Sequence, residues 1–214
     1  MFRFLSLLVI VVLVSCSDGK EEKALLEQPP YAPLTDSIKK MPERADLYYH
    51  RGVLLYQAEE KEEAEKDLRK AWAIDPQEAY ALSLVTLLRE KSPDSAIVFI
   101  QQALKKIPGS IALSVGLARG FQQKNDTTAA LSVTENILQQ YPGQLDALTL
   151  KSELLSGQDK QTESLKTLEK AHHLVPSDPA IAYDLAYAYA TASDARTLAI
   201  TDSLIKANAP EVEK

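Results

Sequence analysis

Six prolines divide this 214-residue chain into near-equal steps: Pro42, Pro76, Pro108, Pro142, Pro176 and Pro210 stand 34, 32, 34, 34 and 34 residues apart. A sustained period of this length is the mark of stacked supersecondary units, and it decides the fold class before any single motif is read. Within the steps, small residues recur in register: Gly52, Ala64 and Ala71; Ala96 and Ala103; Ala118 and Ala130; Ser152, Ser164 and Ala171; Ala186. Bulky residues recur beside them, at Tyr48, Leu55 and Leu68, at Leu117 and Phe121, at Leu148, Leu155 and Leu168, and at Leu185 and Tyr189. The stretch from Ala45 to Glu78 shows what one step contains. Two amphipathic runs, Asp46 to Tyr56 and Lys61 to Ala73, are split by a short polar turn and closed by Asp75-Pro76. Each step is therefore predicted to be a helical hairpin whose small residues let neighbouring helices approach closely.

A 34-residue period with small residues at positions 8, 20 and 27 and proline at position 32 resembles the tetratricopeptide repeat family. The resemblance covers about Ala45 to Val212. It implies an all-α, right-handed α-solenoid of five helix-turn-helix repeats, residues 45–78, 79–110, 111–144, 145–178 and 179–212, with a half-repeat helix in 33–44 before them. One hairpin cannot bury its apolar stripe alone, whereas stacked hairpins share a continuous core. The sequence departs from the family pattern in places. Arg51 and Lys151 replace the usual Leu at position 7, Thr134 and Asp202 replace the bulky residue at position 24, and the second unit is two residues short. The turn Ser92-Pro93-Asp94 is expected to absorb that deletion, with Ser92 or Asp94 capping the next helix. Asp126 and Asp178, the latter before Pro179, are further expected N-caps. A last helix from Asp194 to Ala207, with Arg196, Ser203 and Lys206 on its outer stripe, is expected to close the array.

Residues 1–15 carry one basic residue, Arg3, and then an apolar run from Phe4 to Val14 broken only by Ser6. About 20 apolar residues are needed to cross a bilayer, so this run is read as a secretory signal. It ends in Leu13-Val14-Ser15-Cys16, which resembles the bacterial lipoprotein box and implies that Cys16 becomes the lipidated first residue of the mature chain. Each buried acyl methylene contributes about 0.8 kcal/mol, so several chains on one cysteine would hold the protein on a membrane without spanning it. No Asp follows Cys16 directly, which by the same resemblance favours the outer membrane, on its periplasmic face or at the cell surface. Lys20-Glu21-Glu22 resembles a surface-export tag, and equally reads as a solvated linker. Residues 16–32, polar and ending near Pro29-Pro30, are predicted to be a flexible tether.

The charge balance narrows the partners. Lys and Arg number 24 against 30 Asp and Glu, a net charge of -6, which disfavours nucleic acid and anionic headgroups and points to protein partners. Cys16 is the only cysteine, so no internal disulfide can form. His172 and His173 are adjacent and thus about 100° apart on a helix, the wrong spacing for a shared metal. His50 has no second ligand near it in sequence, and the seven glycines form no phosphate loop. Nothing in the sequence implies an enzyme, a cofactor, a metal or a small-molecule substrate.

In the tetratricopeptide family the first helix of each unit lines the concave side through positions 2, 5, 9, 12 and 13. Carried onto this chain, the resemblance assigns a partner-binding groove to Tyr49, Val53, Tyr56, Tyr80, Arg119, Gln122, Glu153, Tyr183 and Tyr187. Asp46, Leu87, Val115, Thr149, Ser156 and Thr191 fall on the same positions. Tyr80 is the ambiguous member, because moving the deletion in the second unit would place it in the core. Tyr49 and Tyr56, seven apart, share a helix face, as do Tyr183 and Tyr187, four apart. Tyrosine offers large contact area at small entropic cost, which suits peptide recognition. The expected function is a non-enzymatic, membrane-anchored adaptor that docks a protein or peptide in this groove within a bacterial envelope assembly. A structural subunit that leaves the groove unused, or an enzyme or glycan binder with an unrevealed site, would use the same fold.

Overall fold

The computed structural model describes residues 24–192, 196 and 199–202, and among them every regular element is helical. Cys16, the leader before it, and Ser203 and Lys206 of the expected last helix lie outside the described residues. The chain divides into two compact units, Met1–Asp75 and Pro76–Lys214.

The first unit holds α1 (Ala32–Lys40), α2 (Ala45–Gln57) and α3 (Lys61–Ile74). Helices α2 and α3 form one hairpin, and its fit depends on Gly52: a Cβ there would stand 3.0 Å from Leu68 Cγ, closer than packed carbons approach. Leu55, Ala64, Leu68 and Ala71 fill the seam and are fully buried. The turn is closed by Glu59 in the left-handed region (φ 64°) and by the Glu60 N–H donating to the Leu55 carbonyl at 2.9 Å. Arg51, the departure from Leu, is buried. Its Nε and second terminal nitrogen donate to the two Asp67 oxygens at 2.6 and 2.8 Å, and its third nitrogen donates to Thr35 Oγ1 at 2.9 Å. Thr35 in turn donates to the Leu26 carbonyl at 2.7 Å.

That chain of bonds corrects the expected tether. Residues 24–26 are helical, Tyr31 is 5% exposed, and the segment from residue 24 onward packs as part of the first unit. The polar composition and Pro29-Pro30 suggested a free linker. The buried guanidinium takes an acceptor from α1, however, and Tyr31, just ahead of that helix, is itself buried.

The second unit runs α4 (Glu78–Lys91), α5 (Pro93–Lys106), α6 (Ile111–Gln123), α7 (Thr127–Gln140), α8 (Leu145–Ser156), α9 (Gln161–Leu174) and α10 (Pro179–Thr191). Helix starts are set by side chains that accept the first free amides: Ser92 from Ser95, Ser110 from Leu113, Asp126 from Ala129, Gln144 from Ala147, and Asp178 from Ala180 and Ile181. A central core joins Val115 and Ala118 of α6, Ala130 and Ile137 of α7, and Ala147, Leu150 and Leu154 of α8. Gly120 permits the α5–α6 approach, since a Cβ would come within 2.8 Å of Ile97 Cγ1. Between α8 and α9 the small positions are serines, and burial makes their hydroxyls bond to each other at 2.7 Å, with Ser164 also donating to the Ser152 carbonyl at 3.0 Å. Thr134, at a position expected to be bulky, is fully buried and donates to the Ala130 carbonyl at 2.8 Å.

The shortened hairpin reveals where its residues were lost. Helix α4 starts at Glu78, one residue ahead of the unit boundary counted from the prolines, and Ser92 alone separates it from α5. Asn125 and Asp159 repeat the left-handed turn of Glu59 (φ 59° and 60°), but the α4–α5 turn has no such residue. One residue is thus missing before α4 and one after it. The buried set Tyr80, Ala81, Leu84, Val85, Leu87 and Leu88 accordingly occupies α4's inner face.

Candidate partner-binding face

In the first unit, Tyr49, Val53 and Tyr56 lie half-buried along α2, with the Tyr49 ring 5.6 Å from that of His50. Asp46 at the start of the same helix is engaged by Arg44, which donates to both carboxylate oxygens at 2.8 and 2.6 Å. Those hydrogen bonds, ahead of any other influence, hold the Asp46 carboxyl below its usual range.

In the second unit the structure brings Arg119, Gln122 and Glu153 together across α6 and α8. Gln122 donates to Glu153 Oε2 at 3.3 Å, and Arg119 stands 3.9 Å from the same oxygen. Beside them α8, α9 and α10 enclose an open cleft of about 290 Å³, lined by Thr149, Glu153 and Ser156 of α8 and by Asp184, Tyr187 and Thr191 of α10, among others. Tyr183 and Tyr187 are 67% and 66% exposed, far more than aromatic rings in a helical core. Burial, then the Glu153 charge, then that of Asp178, push the Asp184 carboxyl above its usual range.

Three assigned positions do not belong to this face. Tyr80 is 7% exposed, and Leu87 and Val115 are also buried. The first two follow from α4 beginning one residue early, which turns them inward. Val115 faces the core shared by α6, α7 and α8. The same shift places Leu82, Thr86 and Arg89 on the outward positions of α4, residues that counting back from the prolines passed over. Asp184 was missed too, because it lies outside the family's groove positions; a lone acid between two groove tyrosines was the available signal. Arg196 does not form a merely solvated stripe: its guanidinium lies 4.4 Å over the Tyr189 ring and pairs at 2.5 Å with Glu169, to which the Tyr189 hydroxyl donates at 2.8 Å.

Among the described residues no helix is long and apolar enough to cross a membrane, and no three His, Cys, Asp or Glu side chains converge as a metal site would require.

Helical hairpins in this register, with small residues at their seams and a left-handed residue closing three of the turns, have the all-α fold of the tetratricopeptide repeat solenoids. Several solved structures share it. MamA (residues 41 to the end) from Desulfovibrio magneticus RS-1 superposes with a TM-score of 0.63 at 17% identity, covering 79% of this chain and 97% of its own. YrrB, described as a TPR protein with an unusual peptide-binding site, gives a TM-score of 0.55 at 18% identity over 82% of this chain and 92% of its own. Yeast Tom70 gives 0.66 at 22% identity over 83% of this chain and 39% of its own. No protein-family model and no curated protein sequence matches the chain.

Proposed function

We propose that this protein is a non-enzymatic interaction scaffold, held at a bacterial outer membrane through lipidated Cys16, that takes an extended protein segment along the exposed faces of its first-in-hairpin helices within an envelope assembly. The observation that carries this reading is the face of the second unit, where Tyr183 and Tyr187 are each about two-thirds exposed and Tyr187 lines an open cleft beside the joined Arg119, Gln122 and Glu153. Exposed aromatic rings next to a concave, hydroxyl-lined surface are the composition of protein-binding patches, where a few Tyr and Arg residues carry most of the affinity. YrrB, which shares the fold, is described as having a peptide-binding site.

The test is photo-crosslinking in membranes followed by mass spectrometry, comparing the native chain with the Tyr183→Ala/Tyr187→Ala variant. Capture of the principal partner is expected to fall about tenfold or more, with helical content unchanged. An unchanged partner set would overturn the groove reading. The membrane attachment is tested separately. Cys16→Ser is expected to abolish incorporation of labelled palmitate and to move the protein out of the mature membrane fraction; a variant that is processed and fractionates like the native chain would refute the lipid anchor.

A further inference from the structure

The cleft between α8, α9 and α10 has a charge pattern that selects its guest. Among the described residues, the charged ones that line it are two acids, Glu153 and Asp184, one on each facing helix. Glu153 is partly compensated from outside the cleft by Arg119 at 3.9 Å and Gln122 at 3.3 Å. Asp184 stands differently: among the described residues, the charges acting on it are those of Glu153 and Asp178, both acidic. Asp178 spends one carboxylate oxygen capping α10, accepting from the Ala180 and Ile181 amides at 2.9 and 3.2 Å. Tyr187 lines the same cleft while remaining 66% exposed, and it presents an aromatic wall beside the two acids. A volume of about 290 Å³ suits one long side chain rather than a folded domain edge.

We infer that this cleft receives a lysine or arginine side chain of an extended peptide partner, with its cationic head between Glu153 and Asp184 and its methylene stem along Tyr187. Three features fit this guest together. An acid pair with no cation on the Asp184 side among the described residues is relieved by a guest charge, an aromatic wall is attractive to an ammonium or guanidinium and to the stem behind it, and Ser and Thr hydroxyls satisfy the remaining donors. Tyr183, one turn before Tyr187 and 67% exposed, extends the surface past the cleft, which favours a peptide over a free amine. The net charge of -6 adds long-range attraction for a basic segment. The inference rests on the groove reading above and specifies its partner.

The experiment presents the full mature chain to an array of random heptapeptides whose central residue is fixed as Lys, Arg, norleucine or Glu. Lys- and Arg-centred peptides are expected to be captured about tenfold more strongly than the norleucine set, and Glu-centred ones least. Asp184→Asn should erase the preference, and Asp184→Lys should shift it toward Glu-centred peptides. Folding is controlled by the stability of Asp184→Asn itself. The folded-state pKa of Asp184 lies above the unfolded value near 3.8, so its ionised form costs stability at neutral pH, and that cost disappears as pH falls through the folded value toward 3.8. The variant is therefore expected to melt no lower than the native chain at pH 7, with any gain vanishing below 3.8. Capture without a charge preference, or a preference that survives Asp184→Asn, overturns this inference and leaves the groove reading standing. Absence of capture of any peptide set overturns both.

Discussion

Replacing Asp67 by alanine should destabilise the hairpin of α2 and α3 by about 3–5 kcal/mol, because it strands a buried guanidinium. Arg51 and Asp67 side chains are each only 8% exposed, and two of the three hydrogen bonds made by Arg51 go to Asp67. Without that carboxylate, Arg51 keeps a single neutral acceptor, Thr35 Oγ1. Leu68 sits against Gly52 with no spare room, so α2 has little freedom to shift and carry the guanidinium toward solvent. Replacing both partners together, as Arg51→Leu/Asp67→Leu, should restore most of the loss, since an apolar pair of similar volume avoids the desolvation cost. Hydrogen exchange of residues 45–74 reads the effect directly. A loss below about 1 kcal/mol in Asp67→Ala would mean that water reaches the pair and that it behaves as a surface bridge.

Leu150→Ala should cost the second unit a similar amount, about 3–5 kcal/mol, through the cavity it leaves. Leu150 is 0% exposed and lies in the core where α6, α7 and α8 meet. Its neighbours there include Ala118, Ala130 and Ala147, side chains too short to reach into a void, which limits how far the site can shrink. Those helices are fixed at their starts by the Ser110, Asp126 and Gln144 caps. Faster exchange should appear in residues 111–156 and not in the first unit. Retention of native protection across α6 to α8 would show that the three helices collapse onto the alanine.

The proline ladder and the small residues made the hairpins legible, because both are local consequences of helices that must end and pack every 34 residues. Helix α3 begins at Lys61 and α7 at Thr127, where the polar turns and Asp126 place them. Pairings between unusual residues were not legible. Arg51 stood out as a departure, but Asp67 lies in a charge-rich helix where one acid resembles the next, and only folding shows that its carboxylate turns inward. The same holds for the binding face. Arg119, Gln122 and Glu153 were chosen by position and meet in space, whereas Tyr80 depended on where a deletion falls, which composition does not record. Asp184 escaped because a carboxylate's neighbours across a cleft are separated in sequence by a full repeat.

The single-residue turn at Ser92 bears on how such an array changes over generations. Three other hairpins spend three or four residues between their helices and close them with Glu59, Asn125 or Asp159 in the left-handed conformation, yet α4 and α5 are joined through a serine that ends one helix and caps the next. The helix after it keeps the 14-residue length of its counterparts, and both helices keep buried inner faces. Residues can therefore be gained or lost at these turns without disturbing the contacts that identify a repeat, and the copies drift in spacing before they drift in packing. A ladder read only by counting slips at such a rung, and the inward side chains are the record that stays in step.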